Sequence, residues 1–505
     1  MHGPAHASHR LKARRLGIDT HSEAVVLMRK DCSVCRSEGF SSHNRIALQA
    51  KDRQIIATLY QTESDFLSAN EAGLSDAAWN GLNLSPGDSV IALHAAPVNS
   101  LSLVRSRIFG HRLDQDGLKT IISDIVQGRY STIEIASFLT ACAALPMSRD
   151  EIIGLTNAMV GTGKRLSWDA PIVVDKHSVG GLPGNRTTPI IVSIVAALGL
   201  TMPKTSSRAI TSPAGTADTM ETLAPVALDA AQIHDIVTRE GGCIAWGGSV
   251  GLSPADDILI QIEKALDLDT EGQMIASVLS KKISAGATHL IIDIPVGPTA
   301  KVRSAEAAQS MTEGLLAVAK LFGIRALIVC GDGRQPIGRG IGPALEARDI
   351  LQVLQNDGNA PQNLRERALL LSGLLLELCG RAPAGAGVAL ATSVLDDGRA
   401  WRKFQRICAA QGGMRTPPVA PYQRPILAAH AGPVTEIDNR RIARLAKLAG
   451  APEDKAAGVD LHVRLGDKVS PGSKLCTVHA ESEGELAYAL DYAERNPGII
   501  GVGVA

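Results

Sequence analysis

The 505-residue sequence has no excess of charge of either sign, because 51 lysines and arginines balance 51 aspartates and glutamates. This balance gives no electrostatic argument for binding nucleic acid or an anionic membrane surface. No uncharged apolar run reaches the length of a membrane-spanning helix, and no secretory apolar segment is found near Met1. The longest apolar runs, 190–200 and 368–379, are typical of buried helices. We therefore expect a cytoplasmic protein that binds neither nucleic acid nor a membrane.

Cysteine is also scarce, since eight cysteines in a chain of this length cannot form a disulfide scaffold. Cys32 and Cys35 have the spacing of a metal motif, and His43 is nearby, but no second pair follows. A zinc site is therefore the less favoured interpretation, and we predict no metal. Five other cysteines lie in apolar contexts that predict core positions: Cys142, Cys243, Cys330, Cys379 and Cys476.

Two common nucleotide motifs are absent. The segment 161–164, Gly-Thr-Gly-Lys, lacks the first glycine and the Ser/Thr of a P-loop. Gly331-Asp332-Gly333 follows an apolar run, but Pro336 stands where a dinucleotide-binding motif has its third glycine. An anion site in this chain must therefore be built differently.

The segment 174–188 places cations and small donors between a strand and a helix. The apolar residues 172–174 predict a short buried strand, Thr188 is a good N-cap, and Pro189 is a good first residue of the helix that follows. Glycines let backbone approach a ligand closely, and the free N–H groups of a helix N-terminus favour an anion. The segment therefore predicts a phosphate loop. Its residues include Lys176, His177, Ser178, Gly180, Gly181 and Gly184.

A second segment repeats this arrangement after the next predicted strand, 202–205, and a helix is expected near Ala217. Serine, threonine and glycine also form ordinary turns and caps. Two such loops with cations, at adjacent strand ends of an open α/β sheet, nevertheless favour one shared phosphate pocket. The second loop contains Ser206, Ser207, Arg208, Thr211, Ser212, Gly215 and Thr216.

These segments, DKHSVGGLPGN and KTSSRAITSPAGTADTME, resemble the thymidine/pyrimidine-nucleoside phosphorylase family. Their long form resembles its second branch, which holds AMP phosphorylases and bacterial thymidine phosphorylase-like proteins. The resemblance covers roughly residues 100 to 500 and continues through WGGSVGLSPADD, ASVLSKK and GDGRQPIGRGIGPALEA. It implies phosphorolysis, in which inorganic phosphate attacks C1′ of a nucleoside or nucleotide and gives a free base and a sugar 1-phosphate. Phosphate is then a co-substrate, no cofactor is expected, and we expect a homodimer or larger homo-oligomer.

Segment patterns and the resemblance together predict a multidomain α/β fold. Residues 10–100 alternate apolar and polar positions between turn signals, whereas residues 104–169 show helical spacing, with a capping box at Ser148. Strands of the α/β domain are expected at 172–174, 288–294, 325–330 and 387–391. The predicted parts are a small N-terminal β barrel-like domain (1–103), a helical domain (104–170 and 254–282), a phosphate-binding α/β domain with a central mixed sheet (171–253 and 283–419), and a C-terminal α+β domain (420–505).

The chemistry of phosphorolysis and the resemblance predict the site residues. Phosphate is the nucleophile, so it needs donors and positive charge, and the departing base needs an acid or a cation. His177 could supply a proton if its pKa lies near working pH. The resemblance makes Asp269 the proton donor, which requires a pKa raised by burial. The predicted binding residues are Lys176, Ser178, Gly181, Thr188, Ser207, Arg208, Ala209, Ile210, Thr211, Ser212, Thr216, Ser277, Lys281 and Lys301.

The sequence departs from thymidine phosphorylases at Glu263, which falls about where that family holds the pyrimidine with an arginine. A carboxylate cannot donate to a pyrimidine carbonyl, so this position favours a nucleotide and AMP phosphorylase as the alternative. A phosphoribosyltransferase would bind pyrophosphate through Mg²⁺ and is disfavoured by the DKHSVGG loop. A binding protein without turnover is the non-enzymatic alternative.

Overall fold

The computed structural model describes residues 10–20, 23–209, 212–268 and 270–503, which fall into two compact units, 1–146 and 147–505. Within these ranges every helix is too short or too polar to span a bilayer. The first unit contains β1 (Arg10–Arg15), β2 (Val25–Arg29), α1 (Ser33–Glu38), β3 (Arg45–Ala50), β4 (Arg53–Thr62), β5 (Glu71–Leu74), α2 (Asp76–Gly81), β6 (Ser89–His94), α3 (Leu101–Ile108), α4 (Gln115–Val126) and α5 (Thr132–Ala144).

The six strands of the first unit form a closed barrel in the order β1-β5-β2-β4-β3-β6. Alternate residues along the strands, such as Val26 and Met28 on β2, point into its core because side chains of a strand alternate between two faces. The thiols of Cys32 and Cys35 belong to the same core. No group of three potential His, Cys, Asp or Glu ligands occurs in the described ranges.

The helices that follow begin at polar caps, as their sequence predicts. Ser131 accepts a hydrogen bond from the backbone N–H of Glu134, whose side chain accepts in return from the N–H of Ser131. The predicted capping box at Ser148 opens the first helix of the second unit in the same way, with Glu151. Each box satisfies N–H groups that have no partner inside the helix.

The second unit holds the remaining elements. They are α6 (Arg149–Thr162), β7 (Val174–Ser178), α7 (Thr188–Ala197), β8 (Met202–Ser206), α8 (Thr216–Glu221), α9 (Ala230–Glu240), β9 (Gly242–Trp246), α10 (Pro254–Leu266), α11 (Glu271–Ser284), β10 (His289–Val296), α12 (Ala305–Leu321), β11 (Arg325–Asp332), β12 (Gly340–Ile341), α13 (Pro343–Leu354), α14 (Gln362–Leu378), α15 (Gly387–Asp396), α16 (Arg399–Ala410), β13 (Tyr422–Leu427), β14 (Gly432–Ile437), α17 (Asn439–Leu448), β15 (Gly458–Leu461), β16 (Lys468–Val469), β17 (Lys474–Ala480), α18 (Glu483–Arg495) and β18 (Ile500–Val502).

The central strands of the second unit pair in parallel, in the orders β11-β10-β7 and β8-β9, and a parallel bridge from Val173 to Thr201 joins the two groups. The expected mixed sheet is therefore wrong for the described pairs. Helices separate these strands in the chain, and a helical crossover returns the next strand in the same direction.

The sheet is buried between two layers of helices. On β10, Ile291 packs with α7 and α13–α16, whereas Leu290, Ile292 and Ile294 pack with α6, α11 and α12. This alternation follows from the two faces of a strand. Helix α7 is buried on every side from Thr188 to Ala196, which explains its largely apolar sequence.

Two further expectations for this unit are wrong. Residues 387–391 lie in α15 rather than in a strand, because a short apolar run does not by itself distinguish the two. The helix fits because Gly387 and Gly373 let α15 approach α14 closely. Cys330 is exposed rather than buried because β11 is at the edge of its sheet.

The C-terminal part contains a four-stranded sheet, β12-β15-β17-β13, and a three-stranded one, β16-β14-β18. Strand β12 comes from residues 340–341, so this part includes chain that precedes the predicted boundary at 420. Helices α17 and α18 cover its core. The site lies elsewhere, where β7, β8 and β9 end.

Candidate active site

A cavity of about 560 Å³ lies at the carboxyl ends of β7, β8 and β9, and α10 and α11 supply its opposite wall. Thirteen predicted residues line it: Lys176, His177, Ser178, Gly181, Thr188, Ser207, Arg208, Ala209, Ser212, Thr216, Ser277, Lys281 and Lys301. Ile210, Thr211 and Asp269, which the sequence also predicted, lie outside the described residues. Ligands of open α/β sheets bind at this edge, since the strand ends and helix N-termini meet there.

Lys176 lies on β7 itself rather than in the loop after it, because the strand runs from Val174 to Ser178. Its side chain is 1% exposed. Burial lowers the pKa of Lys176 to about 8, against the opposing effect of Asp293. The site therefore holds a buried ammonium group at neutral pH, which suits an anionic ligand.

The imidazole of His177 is only partly exposed, and its pKa lies well below the usual value, first because the surrounding protein desolvates it and then because Lys282 and Lys204 lie near it. The expectation of a pKa near working pH is wrong. A neutral imidazole donates a hydrogen bond at one ring nitrogen and accepts one at the other, but it is not the imidazolium acid that could give a proton to a leaving base. His177 is thus suited to holding a polar group in place.

Ser178 ends β7 within a polar network. Its Oγ lies 3.4 Å from Oδ2 of Asp293, and Asn185 Nδ2 donates to the same carboxylate at 2.9 Å. Asp293 also pairs with Arg367. The Oδ1 atom of Asn185 is buried without a hydrogen-bond partner in the described part of the chain. Asn185, which lines the cavity, was not among the predicted site residues, although it is the last residue of the DKHSVGGLPGN segment.

Gly181 brings the first loop against the segment that carries Lys301. Its φ of +79° lies in the left-handed region, and a Cβ atom there would be 2.3 Å from the backbone nitrogen of Lys301. Only glycine fits this approach.

At the end of β8, the guanidinium group of Arg208 is already paired with two carboxylates. Both terminal nitrogens of Arg208 lie 2.7 Å from oxygens of Glu221, and one of them is 3.1 Å from Asp218. The guanidinium group also stacks over Trp246, 4.9 Å from its ring centre. Hydrogen bonds to Glu221 raise the pKa of Arg208. Arg208 therefore brings little net charge to the cavity, although the sequence predicted a cationic loop.

At the end of β8, one neutral donor remains available and the other polar groups shape the loop. Ser206 Oγ is buried and has no hydrogen-bond partner among the described residues. The carboxylate of Asp218 accepts from the backbone N–H groups of Ala209 (2.6 Å) and Gly215 (2.9 Å), which shapes the loop.

Arg186 is a second residue that was not predicted. It pairs with buried Glu346 and donates to Thr216 Oγ1 at 3.2 Å and to the carbonyl of Ala214 at 2.8 Å. It thereby joins the two loops.

The wall formed by α10 and α11 carries both charge signs. Lys281 Nζ is 2.6 Å from Asp256 Oδ2. The neighbouring Asp257 is open to the cavity but surrounded by protein, and this desolvation, with the charge of Asp256, raises its pKa to about 6. Gln273 Nε2 is buried without a partner in the described ranges. Glu263 also lines this wall. The cavity thus combines a buried cation at β7 with polar groups on α11 that can bind a second, uncharged molecule.

Family models define the class of protein that this fold and cavity represent. The glycosyl transferase family a/b domain matches residues 170–401, and the helical bundle domain of the same family matches residues 101–163. The pyrimidine nucleoside phosphorylase C-terminal domain matches residues 433–499. The protein is therefore a glycosyltransferase.

Curated relatives narrow the class to a family. Three of them carry the name "Putative thymidine phosphorylase": one from Polaromonas sp. strain JS666 (59% identical, covering 96% of this chain and 95% of the relative), one from Chelativorans sp. strain BNC1 (58%, 99% and 98%) and one from Sphingopyxis alaskensis (57%, 97% and 96%). The chain belongs to the thymidine/pyrimidine-nucleoside phosphorylase family.

Solved structures share the fold more distantly. Anthranilate phosphoribosyltransferase from Thermus thermophilus superposes with a TM-score of 0.51 at 21% identity, over 61% of this chain and 98% of that chain. The enzyme from Saccharomyces cerevisiae gives 0.51 at 17% identity, over 62% and 98%. At this identity the match shows a common fold alone.

Proposed function

We propose that the protein converts thymidine and inorganic phosphate to thymine and 2-deoxyribose 1-phosphate. The observation that carries this proposal is the buried Lys176 at the end of β7, in one cavity with Ser277 and Lys281 of α11. Lys176 supplies positive charge for phosphate, whereas Ser277 and Lys281 supply hydrogen-bond donors for a base. The pyrimidine domain match and the names of the relatives favour this reaction over AMP phosphorolysis, which Glu263 had favoured.

Phosphate binding is assigned to the first loop. Lys176, Ser178 and the N-terminal turn of α7 at Thr188 surround the β7 end, where an ammonium group, a hydroxyl group and backbone N–H groups can hold the anion. Ser206 Oγ, unpartnered among the described residues, is a further donor. The bound phosphate oxygen then faces C1′ of a nucleoside seated against α11.

Bond cleavage leaves negative charge on the base. As the phosphate oxygen attacks C1′, the bond from C1′ to the base nitrogen breaks, its electron pair goes to the base, and the sugar gains oxocarbenium character. Lys281, whose ammonium group also pairs with Asp256, can donate a hydrogen bond to a base carbonyl, and neutral His177 can hold the base or sugar by a hydrogen bond. Asp269 remains our proposed proton donor to the leaving base.

The remaining assignments are proposals of the same kind. Phosphate acts as co-substrate without a cofactor, and the protein works as a homodimer or larger homo-oligomer in the cytoplasm. All eight cysteines are free thiols, which fits a reducing compartment.

The test is base release in EDTA, with and without inorganic phosphate, from thymidine, uridine, AMP and CMP in parallel. We expect thymine release that requires phosphate. Release from the 5′-monophosphates alone would identify a nucleotide phosphorylase instead. No release from any of the four, with the protein folded, would contradict phosphorolysis and favour a metal-dependent transferase or a binding protein.

A further inference from the structure

Asp175 is a buried carboxylate that the reaction outlined above does not use. It lies on β7, one residue before Lys176, and is 2% exposed. Its Oδ1 atom is 3.0 Å from Lys204 Nζ, and its Oδ2 atom is 2.7 Å from Lys282 Nζ. Oδ1 also accepts the backbone N–H of Lys176 at 2.6 Å. The carboxylate is therefore fully engaged below the floor of the cavity.

The two lysines belong to the two elements that carry the rest of the site. Lys204 lies on β8, two residues before Ser206. Lys282 lies on α11, directly after Lys281. A single carboxylate thus ties together the β7 end, the β8 end and the helix that faces them.

Charge makes this arrangement sensitive to the loss of Asp175. Two buried ammonium groups share one carboxylate, and removing it would leave both without a counter-charge, which is strongly unfavourable in a protein interior. Burial lowers the pKa of Lys282, and Asp175 opposes that change. Removing one lysine instead leaves a balanced pair of one ammonium group and one carboxylate.

We propose that Asp175 is a positioning residue, which fixes the phosphate side of the cavity through Lys204 and the nucleoside side through Lys282. The proposal rests on the proposed phosphorolysis, since it assigns Lys204 to the phosphate site and Lys282 to the nucleoside site. A residue that only stabilises the fold would affect both substrates alike, whereas the two lysines held by Asp175 should each affect a different substrate.

The test separates the effect of Lys204 from that of Lys282. Lys204→Met should raise the KM for phosphate about tenfold and leave the KM for thymidine within about twofold of the parental value. Lys282→Met should raise the KM for thymidine about tenfold and leave the KM for phosphate within about twofold of the parental value. Asp175→Asn should raise both and lower kcat. Circular dichroism and the Tm confirm folding, and Lys320→Met, at an exposed position at the end of α12, controls for loss of a lysine. Equal changes in both KM values for either lysine variant, or parental kinetics in folded Asp175→Asn, would overturn the proposal.

Calorimetric titration with inorganic phosphate alone gives a readout that needs no turnover. Lys204→Met should weaken phosphate binding about tenfold, whereas Lys282→Met should leave it within about twofold. If the parent binds phosphate but releases no thymine, the proposed function fails while this comparison still decides the role of Lys204. Absence of phosphate binding by the folded parent, or equal weakening in both variants, would overturn the positioning role itself.

Discussion

Strands β7 and β8 end beside one another at the same cavity, and each is followed by a loop rich in serine, threonine and glycine. At β7 the ammonium group of Lys176 is buried, and the residue before it, Asp175, is shared by two lysines. At β8 the guanidinium group of Arg208 is held by Glu221 and Asp218. The β7 end therefore attracts an anion, whereas the β8 end offers mainly neutral donors.

This difference shows that the formal charge of a sequence motif does not determine the net charge at the binding site. A cation with two carboxylate partners contributes shape and hydrogen-bond geometry, while its field is largely cancelled. Trp246 beneath Arg208 fixes that geometry further. We therefore expect phosphate affinity to depend on the β7 end far more than on Arg208.

The largest effect should come from Lys176→Met. The variant removes the buried ammonium group while keeping the shape of the side chain, so kcat/KM for phosphate should fall about 10²–10³-fold, as when one donor of an oxyanion site is removed. Steady-state kinetics with varied phosphate measure this change. The control Lys320→Met should retain the parental kcat/KM for phosphate. If Lys176→Met also retained it, the anion would bind elsewhere.

Gly181→Ala should have the next largest effect. The new methyl group would meet the backbone of Lys301 at 2.3 Å, and displacing this wall by even 1 Å should lower kcat/KM by about 10- to 100-fold. Gly199→Ala is the matched control, since Gly199 has the same φ of +79° but open space around it. The control should lose stability of about 1–2 kcal/mol from backbone strain alone. Equal activity losses in both variants would contradict the close-approach argument.

The pH profile for phosphate should report the charge of Lys176. Because its pKa is lowered to about 8, the ammonium form is present below pH 8 and is lost above it. We expect kcat/KM for phosphate to fall by about tenfold per pH unit above pH 8. Lys176→Arg keeps its charge throughout this range, so its profile should be flat there. A falling limb that survives in this variant would belong to another group.

The smallest effect should come from the second strand end. Glu221→Gln removes one partner of Arg208 and returns part of its positive charge to the cavity. We expect the KM for phosphate to fall about two- to threefold, the size expected for a partly exposed ion pair. Glu240→Gln, which disturbs the ion pairs of Glu240 with Lys403 and Arg406, should leave this KM unchanged. A rise in KM after Glu221→Gln would mean that Arg208 needs this partner to be positioned.

The sequence predicted the parts of the site that depend on local pattern. The capping box at Ser148, the two strand-end loops and, to within one residue, the start of α7 follow from residue type and spacing over a few positions. The N-cap of α7 is Thr187 rather than the predicted Thr188. The family motif extended this prediction to Ser277 and Lys281, which lie about a hundred residues further along the chain and line the same cavity.

Other features depend on contacts between distant segments, which no local pattern encodes. Asn185 bonds to Asp293, 108 positions away, and Arg186 pairs with Glu346, 160 positions away. The low pKa of His177 results from burial and from lysines on β8 and α11. Pairing of Arg208 with Glu221 is closer in sequence, but it depends on how the loop folds back onto α8.

The most direct measurement of the central claim is the fate of labelled inorganic phosphate during thymidine cleavage. Phosphorolysis at the β7 end predicts one labelled 2-deoxyribose 1-phosphate for each thymine released, and loss of both products in Lys176→Met. Thymine release without labelled sugar phosphate would indicate hydrolysis. That result, or equal product formation by Lys176→Met, would contradict the account.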